Sequence, residues 1–498
     1  KVNYFILKIK QFFANGIIML KKISLLVGMA MSTSAVAKGG VSPYLPLNQA
    51  PVLEHQIQRL LAVSKNTHII SKPYKAHDIY NVLQTIRHTY PALYQTLSYQ
   101  LSPYVQSDAG AFAKVTIAAG TKDKTLPNQR GQTTKTNLIV EGSAYANFGR
   151  YFGVSVAGIA NEDEILPTQS FVYLGYKYAQ LDIGYREHWY SPFEDSAMLL
   201  STQAKTTPSI TISNVEPITS FNIRYDMFIS QMTEQRGILK EGKQTGVERV
   251  YEPGKPYLFG LHTSFAATDN LTIGLSRLMQ FGGGPRTVTL KDFAEGFFSP
   301  GSKDNIGRED ADELGENYEL GDQLGSITFE YNNSIYSLPF ELYGEVALED
   351  TLGGSRNNAY SFGLYLPFIA NNHSLRFEHS NWQFLWYANG IYLDGNRNSG
   401  NVIGHWAGDE HDYTDYTAAK SMSVNWHWQL SPIETLNTTI RSLENKNDGY
   451  KTGYELQTAY TRKLAKPIMG AQSWGAELYQ GKDVYGETFA RLSVFANF

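Results

Sequence analysis

Cysteine is missing from all 498 residues, so no disulfide staples this fold and no thiol serves as nucleophile or soft metal ligand. That absence fits an exported protein that does not rely on disulfides. Long hydrophobic runs are missing too. Downstream of the first forty residues no stretch of about 18 apolar residues occurs, which excludes a helical membrane span there. Excess charge of one sign is also lacking: 43 basic against 47 acidic residues leave −4, which argues against a nucleic-acid partner. There is no G-x-S-x-G elbow, Walker loop, H-E-x-x-H or dinucleotide fingerprint. The expectation is therefore a protein that is not an enzyme and needs no cofactor or metal.

Tyrosine, by contrast, is abundant: 33 residues, within an aromatic content of 13%. The mean hydropathy of −0.31 still permits a membrane protein, because a β-barrel hides its apolar signal in alternation. The chain opens on an export signal. Met19-Leu20-Lys21-Lys22 is a short basic start, Ile23–Ala30 an apolar core, and Ser34-Ala35-Val36-Ala37 a small-residue cleavage site. A start at Met19 makes Lys1–Ile18 upstream translated sequence, and residues 1–37 a removed leader. No Cys follows the cleavage site, so no lipoprotein anchor is expected.

Three helical stripes come next. Leu53, Ile57, Leu60 and Leu61 share one face; Ile79, Val82, Leu83 and Ile86 repeat it; Leu93, Leu97 and Leu101 make the third. Pro91 opens the third segment and Pro103 is expected to close it. About fifty residues make a small core, so the bundle (residues 38–108) is expected to dock on the remainder. His55, His68, His77 and His88 are scattered and read as solvated or capping residues.

From about Ala111 the period changes from 3.6 to two, and residues 109–498 are expected to form the barrel. Phe221, Ile223, Tyr225, Met227 and Ile229 alternate with Asn222, Arg224 and Asp226; Leu181, Ile183 and Tyr185 with Asp182, Gly184 and Arg186. The same alternation runs through Leu271–Leu275, Ile327–Tyr331 and Leu342–Leu348. A soluble sandwich would turn such apolar rows into its core, whereas a membrane barrel turns them to lipid and its charges (Asp182, Arg186, Arg224, Asp226, Glu341, Glu345) to the lumen. The last ten residues favour the barrel. Ala490, Leu492, Val494, Ala496 and Phe498 lie on one face, Arg491, Ser493 and Asn497 on the other with one aromatic, Phe495. Outer-membrane barrels characteristically end on such a strand with a terminal aromatic, which the barrel assembly machinery reads. Trp426 and Trp428 share a face suited to an interfacial girdle. Roughly 390 residues at about 10 per strand give some 16 to 20 strands. Lys240–Lys255, Phe293–Asp322 and Tyr392–Thr417 are expected to be long outer loops.

Leu275-Ser276-Arg277-Leu278-Met279-Gln280-Phe281-Gly282-Gly283-Gly284, with Arg286 and Lys291-Asp292-Phe293 beyond, resembles the Wzi family, outer-membrane proteins that hold capsular polysaccharide on Gram-negative cells. Two more stretches match: Gly321-Asp322-Gln323-Leu324-Gly325 with Leu338–Glu345 and Glu349-Asp350, and Gly404-His405-Trp406-Ala407-Gly408-Asp409. The helical stripes match the family's periplasmic-side bundle. One stretch departs from the family: its Gln-Trp-Trp-Gly-Pro-Gly is Glu187-His188-Trp189-Tyr190-Ser191-Pro192 here. If that turn shapes a carbohydrate surface, the glycan differs. The resemblance implies a single antiparallel barrel of about 18 strands, an occluded lumen and a lectin-like role in attaching exported polysaccharide. Capsular or other surface polysaccharide, outer-membrane lipid, the barrel assembly machinery and the capsule export apparatus are the implied partners. A passive diffusion porin is the alternative.

Sugar binding needs aromatic faces for pyranose C–H groups and planar polar side chains for hydroxyls. Trp406, Tyr392 and Tyr413, near Arg397, Asp409 and Asp412, are candidates on these grounds. Arg286 is a candidate partner for an acidic sugar's carboxylate. Trp406→Ala is expected to weaken polysaccharide retention while leaving assembly intact. Asp409-Glu410-His411-Asp412 and Arg308–Glu313 read as solvated acidic tips, and Gly282-Gly283-Gly284 as a turn.

Overall fold

The change of period near residue 109 is also where the architecture changes. A computed structural model describes residues 40–65, 69–240, 250–298, 320–352, 355–412 and 415–498. The leader, Arg308–Glu313 and Tyr413 lie outside the described residues, as do parts of all three expected outer loops.

Eighteen strands close into one antiparallel up-and-down barrel among the described residues. They are β1 (Ala109–Gly120), β2 (Leu138–Asn147), β3 (Phe152–Ala160), β4 (Ile165–Leu166, then Phe171–Tyr176), β5 (Ala179–Gly184) and β6 (Ser209–Ser213). β7 (Arg224–Gln231), β8 (Tyr257–Ala266), β9 (Leu271–Phe281), β10 (Gly321–Ile335), β11 (Leu338–Leu352) and β12 (Ser355–Leu366) follow. β13 (His373–Trp382), β14 (Ala419–Ser431), β15 (Glu434–Asn445), β16 (Gly453–Ile468), β17 (Ala471–Lys482) and β18 (Thr488–Asn497) complete the ring. β18 pairs with β1, Lys114 opposite Asn497 and Gly120 opposite Arg491, so no strand edge is left open.

The apolar rows face outward. Leu492 is 58% exposed, Val494 53% and Ile327 60%, while their neighbours Arg491 and Ser493 are buried. A sandwich would bury the first set and expose the second, so these strands are built for lipid. The luminal charges read from the sequence (Asp182, Arg186, Arg224, Asp226, Glu341 and Glu345) are all buried inside the cylinder. Trp426 and Trp428 stack on His373 on the outer face, with ring centroids 5.8 and 5.3 Å away. His427 between them points inward onto His55, centroids 3.6 Å apart.

Turns at one end are short: Tyr336-Ser337, Pro432-Ile433 and Met469-Gly470 each join neighbouring strands. Met469 (φ 51°) and Gly470 (φ 90°) both take the left-handed conformation that matches hairpin twist. The other end carries the long connections, 185–208, 232–256 and 383–418 among them. Short turns face the periplasm and long loops the outside, which orients the barrel. The chain is an outer-membrane protein.

Helices α1 (Pro51–Val63), α2 (Ala76–Thr85) and α3 (Pro91–Gln106) pack their apolar stripes together at the short-turn end, with Ile57, Leu60, Ile79, Leu83, Leu97 and Leu101 fully buried. Pro103 does not close α3, which runs on to Gln106. A proline there cannot donate to Tyr99 O, and the Ser102 hydroxyl donates to that carbonyl instead at 2.8 Å. The bundle docks through ionic and polar contacts. Arg224 of β7 pairs with Asp78 of α2, and Lys75 Nζ donates to Ser213 Oγ at 2.6 Å. Arg59 of α1 donates to Pro367 O (2.9 Å) and Asn371 O (3.0 Å). A fourth helix, α4 (Leu290–Phe298), lies against the outer wall, its Phe293 and Phe297 on Phe259, Met279 and Phe281. The outward-facing Arg277 donates to Gly296 O and Phe297 O of that helix.

Candidate functional site: the sealed outer mouth

The loop 185–208 leaves β5 at the outer end and turns back into the lumen. Trp189-Tyr190 pairs there with Ser71-Lys72, the segment before α2, in a two-stranded ribbon. Trp189 donates from Nε1 to Phe193 O at 3.0 Å, and Tyr190 Oη donates to Asp226 Oδ1 at 2.7 Å. Both rings are buried. The stretch that departs from the family pattern is therefore internal packing and shapes no outer carbohydrate surface. Glu187 is held by Arg130, whose Nη2 also donates to Leu47 O at 2.6 Å. Burial alone would raise the Glu187 carboxyl, but the Arg130 guanidinium holds it below the usual range.

The loop 383–418 closes over this segment. Tyr387 Oη donates to Met198 O (2.5 Å) and accepts from His405 N (2.6 Å), tying the two loops together. His405 caps a 3₁₀ turn, Trp406–Asp409, by accepting Ala407 N at its Nδ1. That acceptor role puts the proton on Nε2, which reaches Ser421 Oγ at 3.0 Å. Burial pushes the imidazole down to about 4, so it stays neutral in this role. Tyr190, Met198, Leu199, Leu200, Trp382, Trp386, Tyr387, Ile403 and Trp406 form one continuous apolar cluster across the mouth.

Of the seven sequence candidates Asp412 is exposed at the rim, and the other six separate into three groups. Arg397, Trp406 and Asp409 meet, as their loop spacing suggested, but as internal braces. Trp406 is buried, and its Nε1 donates to Asp195 Oδ2 at 3.2 Å. Asp409 accepts from Val402 N (2.9 Å), Gln203 Nε2 (2.8 Å) and Asn401 Nδ2 (3.1 Å). Arg397 donates to Gly408 O at 2.6 Å and lies 3.7 Å from Asp409. Arg286 and Tyr392 sit elsewhere, in a buried corner with Ile238 and Leu239. Tyr392 Oη donates to Gly282 O (3.1 Å) and Arg286 Nη1 to Leu239 O (3.4 Å). The third, Tyr413, lies outside the described residues. Asp409 and Glu410 are not a solvated tip: Glu410 pairs with Lys124 at 2.6 Å, and burial raises its carboxyl despite that partner. Among the described residues no group of three His, Cys, Asp or Glu side chains is placed to hold a metal ion.

Sequence reasoning missed the aromatic pair at the outer rim. Tyr450 and Tyr485 stand with ring centroids 5.7 Å apart on the β15–β16 and β17–β18 loops. Tyr485 is 46% exposed. Tyr450 Oη accepts from Asp412 N (2.9 Å) and donates to Asp415, and Asn447 Nδ2 donates to Asp415 O at 2.7 Å. Burial, then the bond to Asp415, hold the Tyr450 phenol above its ordinary value, so it stays a neutral donor and acceptor. Lys122 closes the patch, paired with Asp483 at 2.7 Å and with Glu487. The signal for this pair was available: Asp448-Gly449-Tyr450 and Tyr485-Gly486 each set a tyrosine beside a turn glycine.

Parts of the stretches that carry the family resemblance lie at the outer mouth. Asn396 donates to Asp322 at the head of β10, Gly404–Asp409 forms the 3₁₀ turn and its lead-in, and Gly282-Gly283-Gly284 is a left-handed turn at the corner holding Tyr392.

The model of the family described as capsule assembly protein Wzi matches residues 109–488. None of the curated proteins matches the sequence. Among solved structures, the chain is similar to Wzi of Escherichia coli, an outer-membrane protein involved in group 1 capsule assembly and a carbohydrate-binding β-barrel. The TM-score is 0.66 at 14% identity, over 93% of this chain and 99% of that one. OccK11 (OpdR) of Pseudomonas aeruginosa (TM-score 0.45, 10% identity, 78% and 94% covered) and OccAB2 of Acinetobacter baumannii (0.45, 11%, 78% and 98%) are more distant.

Proposed function

This chain belongs to the Wzi capsule assembly family, and from that premise we propose that it is a non-enzymatic outer-membrane lectin that attaches exported polysaccharide at the cell surface. One observation carries the reading: the outer mouth is filled by a bonded, apolar seal of two inward loops, which leaves the rim as the working surface. Tyr450 and Tyr485 supply ring faces there. The Asp412–Asp415 and Lys122–Asp483 groups beside them supply donors and acceptors for hydroxyls. Arg397, Trp406, Asp409, Arg286 and Tyr392 serve this surface indirectly, by holding its loops in place. The aromatic-ended β18 is offered to the barrel assembly machinery, and the helical bundle faces the side from which the export apparatus delivers polysaccharide.

The test is retention of surface polysaccharide by cells carrying Tyr450→Ala with Tyr485→Ala. Retention falls, while heat-modifiable gel migration of the barrel stays as in the parent. Unchanged retention with a folded barrel would remove the rim from the reading.

A further inference from the structure

The lumen is filled unevenly. Along β14–β18, β1 and β2, the wall stands away from the segment 48–58 and leaves a cavity of about 480 Å³. A second space of about 340 Å³, between α3 and the β14–β15 turn, shares Val52, Gln100, Thr435, Thr461 and Lys463 with it and leads to the periplasmic end. The larger space lies in the size range of small-ligand sites.

Its lining has a distinct chemistry. Most charged side chains that face it are met by neighbours, Lys114 by Glu141 (2.8 Å), Arg441 by Asp195 (2.7 Å), Arg491 by Glu477 (4.0 Å), and Lys463, at the junction with the second space, is the exception. What remains is a field of amides and hydroxyls, Asn425, Asn437, Gln472 and Asn497 with Thr435 and Thr461 among them. Asn425 Nδ2 donates to Asn437 Oδ1 (2.9 Å) and Thr439 Oγ1 (2.8 Å) and Asn497 Nδ2 to Ser473 Oγ (2.8 Å), which orients Asn425 Oδ1, Asn437 Nδ2 and Asn497 Oδ1 as neutral acceptors and donors suited to hydroxyls. His427 Nε2 and Gln100 Oε1, on lining residues, are buried with no partner, and His427 is 4% exposed. Aromatic rings complete the lining, Phe112, Tyr479, Phe495 and Phe498. Phe495, the apolar exception on the polar side of the last strand, points inward. Its ring covers Gly475 of β17, where a Cβ would come within 2.3 Å of Cζ. Glycine there lets the ring rest against the wall, and Lys114 Nζ stands 5.5 Å from the ring centroid at the cavity edge.

We propose that this half-lumen is a periplasm-facing pocket for a short, uncharged oligosaccharide, with Phe495 as the stacking platform and the amide field binding hydroxyls. The inference rests on the glycan-binding reading, but uses a surface that the rim site does not.

The cysteine-free chain makes the test clean. Ala459→Cys places one thiol on the cavity wall, and Ser334→Cys one at an exposed periplasmic control site. The full-length barrel in detergent is labelled with a small water-soluble maleimide. The probe is two- to four-residue oligosaccharide from acid hydrolysis of the host's surface polysaccharide, split by an anion exchanger into uncharged and charged fractions. At about ten times Kd, the uncharged fraction slows labelling of Ala459→Cys about tenfold and leaves Ser334→Cys unchanged. Adding Phe495→Ala abolishes the protection without altering heat-modifiable migration. No protection by either fraction leaves a solvent-filled space and overturns the proposal, as does protection by the charged fraction alone. Loss of cavity protection with rim-dependent retention intact would overturn this inference and spare the rim. The reverse would spare the cavity.

Discussion

The two sides of the lumen differ more than their wall sequences do. Along β5–β13 the plug meets the wall through ion pairs and shared hydrogen bonds beside apolar contacts: Arg224 with Asp78, Lys75 Nζ with Ser213 Oγ (2.6 Å), Tyr44 Oη with Asp182 (2.6 Å). Along β14–β18, β1 and β2, wall charges pair within the wall or with the loop residues Asp195 and Lys124, and the plug touches the wall only locally, His55 on His427 and Tyr104 on Tyr145, with the cavity between. Buried charges that cross an interface fix one docking pose, because an unpaired one costs several kcal/mol. A wall that satisfies itself fixes nothing and leaves room for a ligand. The packed side thus positions the plug, and the open side is free for binding.

That contrast can be broken at graded cost. Arg224→Ala strands Asp78 in the packed half and costs about 3–5 kcal/mol, read as a lower urea midpoint in detergent. Arg224→Leu with Asp78→Leu recovers much of it; equal loss in the double variant would show that the pair does not set the pose. Trp406→Ala comes next, at about 3–4 kcal/mol, because it opens a void in the seal and takes one donor from Asp195, which Arg441 still holds. Its polysaccharide retention falls with stability, where a surface platform would lose retention alone.

A smaller effect sharpens the comparison through pH. Glu54, at the start of α1 on the cavity's edge, has its carboxyl pushed up to about 7 by burial and then by Glu194. A folded pKa above the unfolded one means stability that is complete below about pH 4.5 and is lost as pH rises through 7. Water in the cavity screens part of it, so about 1–2 kcal/mol separates pH 5 from pH 8. Glu54→Gln flattens that slope; an unchanged slope would place its origin elsewhere. Smallest is Thr435→Ala in the open half, which shifts the urea midpoint by no more than about 0.5 kcal/mol.

Periodic segments were legible in the sequence and non-periodic ones were not. Leu492 and Val494 declared the outer face of β18, and Ile57, Leu60, Ile79 and Leu97 the bundle core, because period alone fixes which face is apolar. The inward loop 185–208 stayed hidden: Trp189-Tyr190 finds its partner in Ser71-Lys72, a non-local pairing with no local signature. The site was legible by residue type and not by exposure. Trp406, Arg397 and Asp409 sit in a glycine- and asparagine-rich loop that looks like surface, yet that loop folds inward and buries them. Tyr450 and Tyr485, on shorter loops, were passed over because nothing in their spacing joins them before the barrel closes.

The seal is the premise on which both binding surfaces depend, and planar-bilayer conductance of the purified full-length barrel tests it most directly. The parent protein gives no discrete conductance steps, and they appear once Tyr387→Ala and Trp406→Ala loosen the two loops. Steady open-channel steps from the parent would contradict the seal.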